Sequence, residues 1–277
     1  MSTTVTFPLA SRRGPGSRPA SPAVSVVVPT LNEEKNLPIV LPLVPEWVEE
    51  IVVVDGLSVD NTLDVARRCR DDVRTVTTKT PGKGAAMRAG IEAARGDVIV
   101  LLDADGSTDP REIPAFVGAL VAGSDVALGT RFAVGGGTTD MELHRRIGNW
   151  VLTNAVRAGF GTRYSDLCYG YLAFWRDAWP ALDGPFTGFE VETVLHIRAA
   201  RAGLRISEVP SFEAERIWGT SNLHAMRDGM RVLVSIVNEW RHNRVEPAHG
   251  AVRSRPAIVP AATARAPWGD VAPGRDR

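Results

Sequence analysis

The stretch Asp97-Val-Ile-Val-Leu-Leu-Asp-Ala-Asp105 decides how the rest of this 277-residue chain is read. Five consecutive apolar residues, Val98 to Leu102, end abruptly in two carboxylates one residue apart. An uninterrupted apolar run of this length reads as a strand buried on both faces, as in a parallel sheet covered by helices. Open α/β sheets place their ligands at the carboxyl ends of such strands. Two residues apart at a strand end, Asp103 and Asp105 can share one hard divalent cation, Mg2+ or Mn2+. Both ions prefer oxygen ligands and commonly combine one or two carboxylates with a substrate's phosphates. The expectation is a metal–diphosphate site.

The preceding segments repeat the pattern. Val24–Val28, Ile51–Val54 and Val73–Thr77 read as strands, the first of them stopped by Pro29. A helix is expected to open at Thr30-Leu-Asn-Glu-Glu34, reaching about Leu43 and capped by Asn32 or Thr30. Further helices are expected after Ser58, at Ala85–Ala94, and from Asp109-Pro110 onward. A fifth strand, Asp125–Leu128, is closed by Gly129-Thr-Arg131. This alternation predicts an α/β fold with a doubly wound, mostly parallel sheet. The strand ends at Pro29–Glu33, Asp55, Gly82–Gly84 and Asp103/Asp105 would then converge on one crevice. There Glu33 and Asp55 can accept hydrogen bonds from a base or ribose, and Lys83, at a helix start, can approach a phosphate. No G-x-G-x-x-G follows the first strand and no G-x-x-x-x-G-K-[ST] occurs. These absences argue against a dinucleotide dehydrogenase and a P-loop phosphotransferase.

The second half supplies arginines, acids and aromatics. Gly135-Gly-Gly137 to Asp140 reads as a loop over the crevice, and Leu143–Ala158 as a helix carrying Arg145 and Arg146. A strand ends at Trp175, a helix around Phe189–Ala202 carries Glu190 and Glu192, and Ile206–Val209 is a last strand. Residues 23–131 read as a nucleotide-binding half and 132–245 as the acceptor-binding half of the same domain. The final helix, expected from His224 to about Asn243, sets Met226, Met230, Leu233, Val237 and Trp240 in an apolar stripe. Core packing, a homodimer face and peripheral membrane contact through 224–245 are all open readings of that stripe.

The tails, 1–22 and 246–277, carry charges of +3 and +2 against −5 for the core, hold nine of the nineteen prolines, and are expected to be disordered. Without a secretory signal or a membrane span, the chain is expected to be cytoplasmic, either free or peripheral to a membrane. Cys69 and Cys168 lack metal-ligand spacing and read as reduced, buried thiols. An acidic core without a basic stripe excludes a nucleic-acid partner.

Taken together, Val28-Pro-Thr-x-Asn-Glu33, Val54-Asp-Gly-x-Ser-x-Asp-Asn-Thr62, Gly82-Lys-Gly84, Asp103-Ala-Asp105, Gly129-Thr-Arg131, Ser165-Asp166, Phe189-Glu-Val-Glu192, Glu208-Val-Pro210 and Gly219-x-Ser-Asn-Leu223 resemble the inverting nucleotide-sugar glycosyltransferases of the dolichyl-phosphate mannose synthase type. The resemblance covers residues 24–223 and implies a GT-A fold: a Rossmann-like half, an acceptor half, and a metal held by Asp103 and Asp105. It implies a nucleoside-diphosphate sugar donor, GDP- or UDP-linked, and a polyprenyl phosphate or other acceptor. Pro29, Thr30, Asn32, Glu33 and Asp55 would hold the nucleoside, with Lys83, Gly84, Asp103 and Ala104 nearby. Asp105 would ligate the metal. Arg131, Arg145 and Arg216 would meet phosphate groups, Asp166 would lie beside the donor sugar, and Glu192, Ser221 and Asn222 would complete the site. Asp166, Glu190 and Glu192 are the candidate bases for a hydroxyl acceptor. The sequence departs from the pattern at Gly56, Ser107 and Asn222, where the family usually carries aspartate, glutamine and lysine.

Overall fold

A computed structural model of the protein describes residues 18–220, 224–245 and 257–258. The order of elements is β1 (Val24–Thr30), α1 (Leu37–Val40), β2 (Glu50–Asp55), α2 (Thr62–Cys69), β3 (Val73–Thr77), α3 (Lys83–Ala93), β4 (Val98–Leu101), α4 (Ile113–Val121) and β5 (Val126–Thr130). There follow β6 (Gly137–Thr138), α5 (Leu143–Phe160), β7 (Leu172–Trp175), α6 (Trp179–Leu182), α7 (Val191–Arg201), β8 (Ile206–Pro210), β9 (Phe212–Glu213), α8 (Ala225–Val245) and β10 (Ala257–Ile258).

Eight strands form one sheet in the order β10-β8-β5-β7-β4-β1-β2-β3. All pair in parallel except β7, which is antiparallel to both β4 and β5. The apolar run of the opening stretch becomes β4, fully buried between β1 and β7. Burial on both faces explains why its residues do not alternate. One apolar layer lies under α1, α2 and α4, and the other under α3, α7 and α8. On the second face α3 touches the sheet closely: a Cβ on Gly90 would lie 2.3 Å from Val27 Cγ1 and 2.7 Å from Val54 Cγ2. The chain runs from β1 outward to β3 and returns to β4 on the other side of β1. The crevice at that reversal is where ligands bind in such sheets.

Three expectations are corrected here. Pro29 does not stop the first strand; β1 continues through Thr30, pairing Pro29 with Val54 and Thr30 with Asp55. Proline is tolerated because the β1–β4 pairing has already ended at Val27–Leu101. The helix expected from Thr30 begins only at Leu37, and neither Thr30 nor Asn32 caps it. Asn32 instead takes a left-handed φ of 60° and ties two loops together: its backbone N donates to Ser58 Oγ, and its Oδ1 accepts from Val59 N. At the amino end, Arg18, assigned to the disordered tail, is held by Asp125 at 2.5 Å and Asp177 at 2.7 Å. The rest of both tails lies outside the described residues, apart from 19–22 and the edge strand β10, which pairs with β8. Among the described residues, no helix is long and apolar enough to cross a membrane.

Candidate active site

A cleft of about 1040 Å3 opens over the carboxyl ends of β1 and β4. The sheet supplies one side; α5, the start of α7 and the start of α8 supply the other. Asp103 and Asp105 follow β4 directly, so the buried strand fixes their backbone while their carboxylates face the cleft.

Each carboxylate of the pair is matched with one cation and one further acid. Lys83, the first residue of α3, places Nζ 2.7 Å from Asp103 and 2.8 Å from Glu192. Arg216 lies 3.0 Å from Asp105 and 2.9 Å from Glu33. Ser107 fixes the other Asp105 oxygen, donating from its backbone N at 3.0 Å and its Oγ at 2.7 Å. Asn36 holds Glu33 at 2.5 Å. Burial alone would depress the Lys83 pKa, but the Asp103 and Glu192 carboxylates outweigh it and hold the ammonium charged. Burial raises the pKa of Glu33 and of Glu192, opposed by Asn36 and Arg216 at the first and by Lys83 at the second. Gly170 makes room for the Lys83 cluster: a Cβ there would stand 2.9 Å from Lys83 Nζ and 3.0 Å from Asp103 Oδ2.

Beneath the cleft lies a second charge cluster. The Arg131 side chain is 1% exposed and donates to both oxygens of Asp166, at 2.7 and 2.8 Å, and to Glu213 at 2.9 Å. Asn149 donates to Asp166 at 2.9 Å and Thr138 to Glu213 at 2.8 Å. Burial works against the Arg131 charge, yet the two carboxylates keep it firmly protonated.

The opposite wall is cationic. Arg145, on the first turn of α5, pairs with Asp140 at 3.1 Å. On α8, Arg227 and Arg231 border the cleft on either side of the buried Asp228, at 3.4 and 4.0 Å from it. Their side chains remain more than half exposed.

The fold therefore brings Pro29, Thr30, Glu33, Lys83, Asp103, Ala104, Asp105, Arg131, Arg145, Glu192 and Arg216 to one cleft. Asp55 is buried at the end of β2, where it accepts from Ser58 N, and its neighbour Gly56 faces the cleft instead. Gly84 packs against the Thr187–Gly188 backbone, and Asn32 lies in the loop described above. Asp166 is corrected from a position beside the donor sugar to one below the cleft surface, because Arg131 and Asn149 hold both its oxygens inward. The same contacts, with Glu213, engage the Arg131 guanidinium. Ser221 and Asn222 lie outside the described residues. Cys168, expected to be buried, is exposed on the cleft wall. Glu190 accepts from the Thr187 and Gly188 backbone N–H groups rather than facing the cleft.

Sequence reading missed Gly170, Glu213, Glu215, Arg227 and Arg231, all of which line the cleft. Glu213 and Glu215 carried a usable signal: they alternate with apolar residues immediately before Arg216. Arg227 and Arg231, one helical turn apart, carried another.

The pair Asp103/Asp105 fits a magnesium or manganese ion. Among the described residues no three His, Cys, Asp or Glu side chains converge as a ligand group. The protein thus offers two hard carboxylates on an open wall, leaving the other positions to water or to a diphosphate, as these ions commonly require.

Comparison with known proteins agrees with this geometry. The glycosyl transferase family 2 profile matches residues 25–189. The polyprenol monophosphomannose synthase of Mycolicibacterium smegmatis is 32% identical over 82% of this chain and 91% of its own. The undecaprenyl-phosphate mannosyltransferase of Micrococcus luteus is 34% identical over 72% of this chain and 87% of its own. Among solved structures, glucosyl-3-phosphoglycerate synthase of Mycobacterium tuberculosis shares the fold. Its complex with Mg2+ and UDP superposes with a TM-score of 0.62 at 25% identity, covering 80% of each chain. Its complex with Mn2+, UDP and phosphoglyceric acid gives 0.62 at 24% identity, covering 80% of this chain and 79% of that one. A cleft at the switch point of a GT-A sheet, and the match across most of the sheet, lead to one conclusion: the chain belongs to glycosyl transferase family 2.

Proposed function

We propose that this enzyme moves a hexose from a nucleoside-diphosphate sugar to a polyprenyl phosphate by a single, inverting displacement that depends on Mg2+ or Mn2+. One observation carries the reading: the acid pair with its cations and the arginines of α5 and α8 line a single cleft. The two walls divide into a donor side and an anionic-acceptor side. The names of the two mannosyl-transferring relatives support a polyprenyl phosphate acceptor.

Asp103 and Asp105 would hold the divalent ion, which lends positive charge to the departing nucleoside diphosphate. Glu33 and the backbone of Pro29–Thr30 line the donor side. On donor binding, Lys83 and Arg216 exchange carboxylate contacts for phosphate oxygens, keeping two cations where negative charge develops. Arg145, Arg227 and Arg231 orient the acceptor phosphate through charge-assisted hydrogen bonds. Such an oxygen is already anionic, so no strong general base is needed and attack depends on placement. Arg131 acts through others, fixing Asp166 and Glu213 in the cleft floor.

A second reading, transfer to a hydroxyl, draws on Glu213 and Glu215 at the cleft wall, since such an acceptor must lose a proton. Incubation with radiolabelled UDP- and GDP-sugars, a polyprenyl phosphate and Mn2+ separates the two. Label that partitions into organic solvent supports the lipid phosphate. Label that transfers only to saccharide or small hydroxyl acceptors supports the second reading.

A further inference from the structure

The outer faces of α5 and α8 are not explained by the cleft. The two helices run side by side, both lining the cleft with their first turns, and further along Trp240 Cδ1 would lie 3.6 Å from a Cβ on Gly159. Their outer surfaces expose large apolar side chains: Ile147, Trp150 at 66% and Val151 on α5, and Met230, Val234 at 50% and Val237 on α8. The stripe foreseen in the sequence is therefore largely exposed from Met230 onward. Val232 and Ile236, which it did not include, are the residues that pack inward.

The charges on these helices are sorted. The sequence of α5 contains Arg145, Arg146 and Arg157 and no acid. That of α8 contains Arg227, Arg231, Arg241 and Arg244 and two acids, both buried: Asp228 at 2% and Glu239 at 3%. Glu239 is turned inward to Arg198 and Arg201 of α7, and Asp228 caps its own helix by accepting from His224 N at 2.8 Å. Asp140 and Glu142 precede α5 and meet Arg145 and His144, while Asp166, below the cleft, accepts from Asn149 of α5. Two neighbouring helices thus present apolar and cationic groups together, with their own acids withdrawn.

We infer that this face docks on an anionic lipid bilayer, bringing the cleft mouth to the membrane surface. The composition is that of an interfacial surface, with tryptophans and aliphatic groups entering the headgroup boundary and arginines meeting anionic lipids. A second copy of the chain fits less well, because a two-fold contact sets each copy's arginine-bearing face against the same face of the other. Docking deepens the proposed acceptor assignment and rests on it: a polyprenyl phosphate in the bilayer would reach Arg145, Arg227 and Arg231 with its headgroup while its chain stays in lipid.

The test uses the full chain and a variant with Ile147→Asp, Trp150→Asp, Val234→Asp and Val237→Asp, none of which lines the cleft. Co-sedimentation with phosphatidylcholine vesicles, with and without phosphatidylglycerol, reads docking. Transfer to a water-soluble short-chain isoprenyl phosphate reads chemistry independently of membranes. The parent is expected to sediment with the anionic vesicles and weakly with the neutral ones. The variant should lose about tenfold or more in vesicle affinity while keeping its turnover on the soluble acceptor. A parent that stays in solution, or a variant that sediments equally well through its unaltered tails, overturns the docking face. So does light scattering that shows a dimer in the parent and a monomer in the variant without vesicle binding. Loss of turnover on the soluble acceptor by the parent itself would instead contradict the acceptor reading, leaving the sedimentation result to judge the docking face.

Discussion

Arg216 joins Asp105 to Glu33, lying 3.0 Å from the first carboxylate and 2.9 Å from the second. The contact ties the last strand-to-helix connection to the first, across 183 positions of sequence. A cation thus stands where a divalent ion and a diphosphate are expected to meet. Replacing it by Arg216→Ala should have two opposite effects. Binding of Mn2+ alone should strengthen, because Asp105 loses a competitor. Nucleoside-diphosphate binding with Mn2+ should weaken about 10- to 100-fold, the scale of a lost hydrogen bond to a charged group. Titration calorimetry with and without nucleotide measures both.

Gly170→Ala tests the other half of the site. Its new methyl would press on Lys83 Nζ and Asp103 Oδ2 at about 3 Å. Any retreat of these atoms disturbs the Lys83–Asp103–Glu192 cluster. Overpacking of this kind costs about 1–3 kcal/mol, and here it falls on the groups expected to handle the diphosphate. Denaturant unfolding should show a modest loss of stability, and steady-state kinetics a larger loss in kcat/KM.

Arg131→Met removes the partner of two carboxylates. Asp166 and Glu213 would be left buried and uncompensated, which typically costs about 3–5 kcal/mol. Arg131→Lys should restore little, since one ammonium cannot serve both Asp166 oxygens and Glu213 as the fork does. Urea unfolding of the two variants checks this. A variant with native stability but reduced turnover would instead place Arg131 in contact with substrate.

Glu112 provides a pH signature independent of the cleft. Desolvation pushes its carboxyl up to about 7, against the lowering effect of bonds from Ser211 and the Phe212 N–H. Its folded pKa exceeds the unfolded one, so the folded protein binds the extra proton between roughly pH 4.5 and 7. Stability from this group is therefore full below that window and falls as pH rises through it. Glu112→Gln cannot lose a proton. Its stability relative to the parent should improve from pH 4.5 to pH 8, by about 1–3 kcal/mol, as read from unfolding curves at both values.

Much of this arrangement was legible in the sequence, for physical reasons. The strands β2 and β4 hold short runs of branched apolar residues followed by polar ones, and parallel order places those ends together. Hence Glu33, Lys83, Asp103 and Asp105 could be assigned to one crevice before their contacts were known. What stayed hidden depends on long-range packing. The antiparallel insertion of β7 between β4 and β5 is set by tertiary pairing, not by any local pattern in Leu172–Trp175. Arg131 and Asp166 read as free site residues, although burial has them neutralise each other. Local rules favoured Asn32 as a helix cap, yet the Ser58 and Val59 contacts draw it into a loop clamp. On α8, the apolar spacing predicted a stripe correctly but could not say which way it faces.

The claim on which the others depend is that Asp103 and Asp105 form a metal–diphosphate site. Titration calorimetry of UDP and GDP into the protein, in Mn2+ and in EDTA, for the parent and for Asp105→Ala, tests it most directly. The account predicts that one nucleotide binds the parent in Mn2+, that EDTA weakens this binding by about tenfold or more, and that Asp105→Ala binds equally weakly under both conditions. Binding by Asp105→Ala that matches the parent and still responds to Mn2+ would contradict it.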